Sequence, residues 1–173
     1  MEHWASAPDV LRHYAKHYQS GQVIPDPLIA KIVNSGKFNQ GFQTVEYLAA
    51  SLLDMQYHAL SEPKELDIDA FEKSYLDGIG LIPEIQPRYR SAYFAHIIGG
   101  YAAGYYSYIW SGVLDCDAFR AFTETSLFDK ATADRFRKRV LEVIGTQDPA
   151  AMFRNFRGRD PVIEPLLEDR GLK

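Results

Sequence analysis

Cysteine is nearly absent from this sequence, in which Cys116 stands alone among 173 residues. A single cysteine excludes an internal disulfide bond and suits a reducing compartment, so we expect a cytoplasmic protein. Positive charge is also scarce, because 19 Lys and Arg residues face 23 Asp and Glu residues and the formal net charge is -4. That balance lacks the basic surplus with which nucleic-acid-binding proteins attract phosphates, and we expect no nucleic-acid partner.

Sustained alternation of apolar and polar residues, the pattern of a half-buried strand, is missing throughout. Helical periodicity is present instead, and 46% of the residues are apolar, which is enough for a substantial core. The longest periodic run, 38–60, follows a helical period of 3.6 residues at Phe42, Val45, Leu48, Ala49, Leu52, Leu53 and Gln56. The sequence therefore predicts an all-α fold, a multi-helix single domain that spans 1–173.

Aspartates mark where several of these helices begin, because a short carboxylate accepts hydrogen bonds from the free N–H groups of a first helical turn. Two of them precede a proline, which favours the first helical position. The expected caps are Asp67 or Asp69, Asp115, Asp129, Asp148 before Pro149, and Asp160 before Pro161. Further helices are expected at 8–18 and 25–35, and the helix after Asp129 is expected to reach residue 144.

One stretch, 91–114, contains 24 residues without Asp, Glu, Lys or Arg, which is long enough to span a bilayer. Five tyrosines crowd this stretch, whereas the tyrosines of membrane helices concentrate at the two interfaces. We therefore expect a buried, polar and aromatic surface of a soluble protein, and no membrane partner.

Metal and thiol chemistry have little support in the sequence. His13 and His17 stand at i and i+4 of a predicted helix, which suits zinc, but no third ligand is evident nearby and Lys16 would repel a cation. Cys116 lies between two aspartates, whose charges would raise its pKa and suppress a nucleophilic thiolate. We expect no metal bound by this segment.

The segment 94–110 carries the most distinctive pattern. If it is helical after Gly99 and Gly100, then Tyr101, Tyr105 and Tyr108 fall at i, i+4 and i+7 on one face. A second, apolar face would hold Ala102, Tyr106, Ile109 and Val113 and pack on the core. Two interpretations stay open: the phenols are buried and satisfied locally, or they donate hydrogen bonds to a bound polar group such as a developing oxyanion.

The same segment resembles a known family. The string His96-x-x-Gly99-Gly100-Tyr101-x-Ala103-x-Tyr105-Tyr106-x-Tyr108 is similar to the glycine-tyrosine loop of the thimet-oligopeptidase-like zinc metallopeptidases, most of all in the bacterial peptidyl-dipeptidase branch. Segments 14–18, 48–55 and 154–161 and the Gly171-Leu172 ending agree with it in the family's order. The resemblance covers nearly the whole chain.

The resemblance assigns roles to individual residues. Tyr108 would donate to the tetrahedral oxyanion and Tyr101 would assist it, while His96 would bind the substrate or orient the loop. Tyr105, Gly99 and Gly100 would bind the peptide substrate. The family implies zinc as the cofactor of the intact enzyme, short peptides as substrates, and release of dipeptides from a free carboxyl terminus.

The sequence also departs from the family. Members are several times longer and carry His-Glu-x-x-His with a further glutamate ligand, and none of these ligands is present here. We therefore expect a C-terminal segment of the catalytic domain that lacks the zinc-binding helix, is inactive alone and self-associates through apolar surface exposed by truncation. The alternative is a complete, non-catalytic helical domain that binds a peptide or a partner helix.

Overall fold

The computed structural model describes residues 2–173 and is all-α, as the sequence predicts. In that range the extended backbone pairs only at one isolated bridge, between Lys16 and Val23. The helices are α1 (Glu2–Ser6), α2 (Pro8–Tyr14), α3 (Asp26–Ser35), α4 (Gln40–His58), α5 (Ile68–Gly78), α6 (Ala95–Ile98), α7 (Ser107–Thr123), α8 (Lys130–Phe136), α9 (Pro149–Arg157) and α10 (Glu164–Asp169). A 3₁₀ turn at Ser91–Tyr93 precedes α6, and a π-helical turn at Arg137–Leu141 continues α8.

The chain forms two compact units. One consists of Asn39–Ser111, and the other combines the segment that ends at Phe38 with Gly112–Lys173. Within the described residues, none of the helices combines the length and the apolar character that crossing a bilayer requires.

The core of the unit Asn39–Ser111 is aromatic. Tyr47, Ala50, Phe94 and Tyr105 are buried together. The periodic run predicted for α4 is confirmed in part, because Ala49 and Leu53 are buried whereas Val45, Leu48 and Leu52 are 37–43% exposed. The buried side also carries a phenol and a carboxylate, which an apolar pattern does not detect.

The other unit is built on a second aromatic cluster. Ala121 and Phe122 of α7 pack with Phe156 of α9, and Trp4 and Phe136 cover them. A buried ion cluster lies beside these contacts in the same unit. Asp117 of α7 is fully buried and accepts hydrogen bonds from Arg157 at 3.0 Å and from Arg159 at 2.6 Å.

Three of the predicted caps are confirmed. Asp67, Asp129 and Asp148 each accept a hydrogen bond from the backbone N–H three residues later, at 3.0, 2.7 and 2.8 Å. The other two were wrong. Asp115 lies inside α7, where it pairs with His3 at 2.8 Å, and Asp160 pairs with Arg154 at 2.8 Å while α10 begins only at Glu164.

Two predicted helices end early. The helix predicted at 8–18 stops at Tyr14, because the chain then reverses through a turn in which Gly21 adopts a left-handed φ of 69°. The α-helix predicted to reach residue 144 ends at Phe136, where the π-helical turn begins. Gly158 closes α9 with a φ of 77°, which is the common left-handed helix ending.

Candidate active site

The segment between Gly100 and α7 is not helical, which corrects the prediction. It forms turns, and α7 begins only at Ser107. Ala103 has a left-handed φ of 53°, a conformation that costs a residue with a Cβ roughly 1–2 kcal/mol and cannot continue an α-helix. The tyrosines therefore do not share a helix face, and their arrangement has to come from tertiary contacts.

Asp54 of α4 supplies one of these contacts. Its carboxylate is fully buried and accepts the backbone N–H of Ala103 at 2.9 Å and that of Tyr105 at 3.0 Å. The ring nitrogen Nδ1 of His58 lies 2.9 Å from the same carboxylate. Hydrogen bonds to a charged acceptor contribute about 1.5–3 kcal/mol each, so they can offset the strain at Ala103.

Tyr47 of α4 holds the next part of the chain. Its hydroxyl donates to the carbonyl oxygen of Tyr105 and accepts the N–H of Ile109 at 3.3 Å. The turn and the first turn of α7 are thus tied to one side of α4, two helical turns apart at Tyr47 and Asp54.

Glu72 of α5 anchors the chain that enters the site. Its buried carboxylate accepts the N–H and the hydroxyl of Ser91, at 2.7 and 2.6 Å, and pairs with Arg90. Burial alone would raise the pKa of Glu72, but the hydrogen bonds from Ser91 and Arg90 outweigh it and hold that pKa below its ordinary value. The segment 91–105 is therefore tied to buried carboxylates at both ends.

The rings of the predicted site residues do come together. His96 lies 5.8 Å from Tyr101, 5.1 Å from Tyr105 and 6.3 Å from Tyr108, measured between ring centroids. The Nδ1 atom of His96 is buried and has no hydrogen-bond partner within the residues described.

Tyr101 and Tyr108 form a pair near the surface. Their rings are stacked, and the two side chains are 40% and 46% exposed. A hydrogen bond to Tyr101 is the main cause that raises the pKa of Tyr108, which means that Tyr108 donates this bond and Tyr101 accepts it.

Tyr105 and Tyr106 exchange the places that the sequence predicted for them. Tyr105, expected on the substrate face, is 2% exposed in the aromatic core, and burial raises its pKa to about 12. Tyr106, expected to pack on the core, is 49% exposed. The exchange follows from the missing helix, since side chains in a turn do not keep a 3.6-residue period.

Gly99 and Gly100 leave the backbone open. Both are exposed, and a Cβ built on Gly100 would meet no atom of the chain within 4 Å. Neither residue has a left-handed φ. The fold itself therefore does not require glycine at Gly100, and a bound molecule can approach the main chain there.

The structure of residues 2–173 brings no set of metal ligands together. His13 lies in α2, but His17 lies beyond its end, so the i, i+4 helix spacing is not realised. Among residues 2–173, no group of three or more His, Cys, Asp or Glu side chains could hold a metal ion. Cys116 is buried in α7, and burial followed by the charges of Asp169 and Asp115 raises its pKa to about 12, as expected of an unreactive thiol.

Sequence reasoning did not find Tyr47, Asp54 or Glu72. A weak signal existed for Asp54, because it follows Leu52 and Leu53 in an otherwise apolar helical run. A buried carboxylate in such a run needs several hydrogen-bond donors. Here the donors are the backbone N–H groups of Ala103 and Tyr105, which lie 49 and 51 residues further along the chain.

Comparison with known proteins shows that the sequence of this chain is similar to those of peptidases. The family model described as Peptidase family M3 matches residues 1–172. A dipeptidyl carboxypeptidase of Escherichia coli is 44% identical over 174 residues, which cover 99% of this chain and 26% of that protein. A probable cytosolic oligopeptidase A of Arabidopsis thaliana is 36% identical over 178 residues, covering 99% and 25%. The chain thus spans about a quarter of the length of these relatives.

Proposed function

Because this chain belongs to peptidase family M3, we propose that segment 96–108 forms the substrate-binding and oxyanion-stabilising side of a peptidase cleft. The observation that carries the proposal is the half-exposed, stacked pair of Tyr101 and Tyr108 beside the open backbone of Gly99 and Gly100. The whole enzyme would be a hydrolase that cleaves short peptides and, in the manner of a dipeptidyl carboxypeptidase, releases dipeptides from a free carboxyl terminus.

The two phenols suit a carbonyl oxygen that gains negative charge. When water adds to the scissile carbonyl carbon, the electron pair of the C=O bond moves to the oxygen, and nearby O–H donors stabilise the charge. Tyr101 and Tyr108 carry two O–H protons between them. The Tyr108 proton is used in the bond to Tyr101, so the Tyr101 hydroxyl remains to donate outward. Rotation of the Tyr108 hydroxyl would add a second donor when the oxyanion forms.

His96 and the glycines would position the peptide. The His96 ring lies edge-on against Tyr101 and Tyr108, where it would orient them and offer Nε2 to the substrate, since Nδ1 is buried. The main-chain groups of Gly99 and Gly100 are accessible to an extended peptide backbone. Tyr105 would act indirectly, because its buried ring packs against the ring of His96 and holds it in place.

Zinc is the metal that we propose for the whole enzyme. The residues of this chain do not fit a metal site, since the described part offers no suitable group of ligands. Activation of the attacking water is accordingly assigned to no residue here, and the chain alone is proposed to be inactive. A cytoplasmic location also remains a prediction, based on the single cysteine.

A chimaeric enzyme tests the proposal. The matched segment of the Escherichia coli dipeptidyl carboxypeptidase is replaced by this chain, which the 44% identity permits. We expect the chimaera to cleave short peptides that the same enzyme without the segment leaves intact. A folded chimaera that binds zinc but cleaves none of them would contradict the proposal. Peptide binding by that inactive chimaera would favour the non-catalytic alternative.

A further inference from the structure

Asp54 makes its contacts with backbone rather than with any candidate catalytic side chain. Its two carboxylate oxygens take the N–H groups of Ala103 and Tyr105, one each, at 2.9 and 3.0 Å. The Nδ1 atom of His58 lies 2.9 Å from Oδ1 of the same carboxylate and donates to the main-chain carbonyl oxygen of Asp54 at 2.8 Å. The side chain is fully buried, so the turn is its binding partner in place of water.

The rings of Tyr101 and Tyr108 can stack only because of the turn that Asp54 holds. In a straight helix, residues seven apart are separated by about 10.5 Å along the axis, so their rings cannot stack. The observed ring centroids are 5.1 Å apart. The stacked pair therefore exists because the chain departs from a helix between its two members, at the left-handed Ala103.

We infer that Asp54 is a positioning residue of the proposed peptidase: its carboxylate fixes the turn at Ala103 and thereby brings Tyr101 against Tyr108. The inference rests on the proposed function for its kinetic consequence, but the stacking itself is a property of this chain. Asp54 touches neither phenol, so it acts through the backbone.

The experiment replaces the carboxylate by an amide of the same size, Asp54→Asn, in the chimaera and in the isolated chain. The amide presents N–H groups toward a backbone donor and cannot accept both bonds. In the chimaera we expect kcat to fall by about 10- to 100-fold while KM changes less than about 3-fold. Ser51→Ala is the matched control, because Ser51 is buried on α4 and bonds only within that helix, to the Tyr47 carbonyl at 3.0 Å.

A second readout is independent of catalysis. Ultraviolet titration of the isolated chain follows the ionisation of its phenols, and the step of Tyr108 is identified by its loss in Tyr108→Phe. We expect the pKa of Tyr108, which is raised in the parent, to fall toward the ordinary range in Asp54→Asn. If the chimaera with the unmodified segment is inactive, the proposed function fails, and this titration still decides the inference.

Ala103→Pro tests the turn from its other side if Asp54→Asn does not fold. Proline removes the N–H donor and the left-handed conformation, and it leaves α4 intact. The same fall in kcat and the same change in the titration are expected. An unchanged kcat in the active chimaera, or an unchanged phenol titration in a folded variant, would overturn the inference.

Discussion

Tyr101 and Tyr108 lie seven residues apart in sequence, yet their rings are stacked with centroids 5.1 Å apart and planes inclined by 19°. Both phenols reach the surface, and the hydrogen bond that Tyr108 donates to Tyr101 raises the pKa of Tyr108. The pair thus presents two phenol hydroxyls in a position that a peptide can reach.

Removal of one hydroxyl tests this pair. Tyr108→Phe keeps the ring and its stacking, so the melting temperature should change little. We expect kcat of the chimaera to fall by about 10²–10³-fold, because the lost hydrogen bond acts mainly in the transition state. The control is Tyr106→Phe, which removes a hydroxyl of similar exposure. An unchanged kcat in Tyr108→Phe, or a larger loss in Tyr106→Phe, would remove the assignment.

Addition of a single methyl group tests the open backbone at Gly100. Because a Cβ there meets no atom of the chain within 4 Å, Gly100→Ala should leave the melting temperature nearly unchanged. A peptide that lies along the main chain would meet the new methyl group, and we expect KM to rise by about 10-fold, which corresponds to roughly 1.4 kcal/mol of binding free energy. Gly78→Ala, at an equally open position, is the control. A KM equal to that of the control would place the substrate elsewhere.

The isolated chain should have no peptidase activity. Its described residues hold no set of metal ligands, and zinc binding needs at least three protein ligands at a catalytic site. The purified chain, assayed on short peptides with added zinc, is expected to match a blank without protein. Turnover that a chelator abolishes would show that the chain assembles a site of its own.

The buried cluster around Asp117 should control acid stability. Burial opposes ionisation of Asp117, but hydrogen bonds from Arg159 and Val162 and the charges of two arginines hold its pKa below the ordinary value. The folded carboxylate thus takes up its proton at lower pH than the unfolded one. Its stabilising contribution is complete above about pH 4 and is lost as the pH falls through the folded-state pKa.

Asp117→Asn is the corresponding variant. We expect it to lower the free energy of unfolding at pH 7 by roughly 3–5 kcal/mol, since Arg157 is 6% exposed and loses a buried partner. Urea unfolding between pH 7 and pH 2 should also show a weaker dependence on acid than in the parent. Asp134→Asn, which breaks an exposed pair with Lys130, is the control and should leave stability nearly unchanged. Equal acid dependence in parent and Asp117→Asn would contradict the role of the cluster.

The apolar outer face of α4 should make the isolated chain self-associate. Val45, Leu48, Leu52 and Met55 are 37–43% exposed and follow a spacing of three and four residues, which is typical of a helix-packing face. Sedimentation at rising concentration should show dimers or larger species. Lysine at both Leu48 and Leu52 should restore a monomer, whereas Ile144→Lys, at an exposed residue outside this face, should not. A monomeric parent that binds no dye for apolar surface would refute the prediction.

Local features of the chain could be predicted from the sequence. The caps at Asp67, Asp129 and Asp148 were found because a cap involves only the N–H three residues ahead. The family and the residues of the ring cluster, His96, Tyr101, Tyr105 and Tyr108, were found because the glycine-tyrosine motif contains them and resembles that of the family. Asp115 was assigned wrongly because its partner, His3, is 112 residues away and leaves no local trace.

The shape of the site could not be predicted. The spacing of Tyr101, Tyr105 and Tyr108 fits one face of a helix. The N–H groups of Ala103 and Tyr105 are instead taken by Asp54, a partner about fifty residues away that no local pattern reveals. Tertiary hydrogen bonds to a buried charge therefore override the helical period, and they exchange the positions of Tyr105 and Tyr106.

Tyr47 and Asp54 hold the turn from a single helix, and this makes the site sensitive to insertions and deletions. One residue inserted between them would rotate Asp54 by about 100° around α4 and remove its carboxylate from the turn while Tyr47 stays in place. The connection between α4 and α5, residues 59–67, is mostly exposed and carries neither contact, so its length is free to vary. The geometry of the two phenols thus depends on the spacing of Tyr47 and Asp54 within α4. It does not depend on the length of the connection that follows α4.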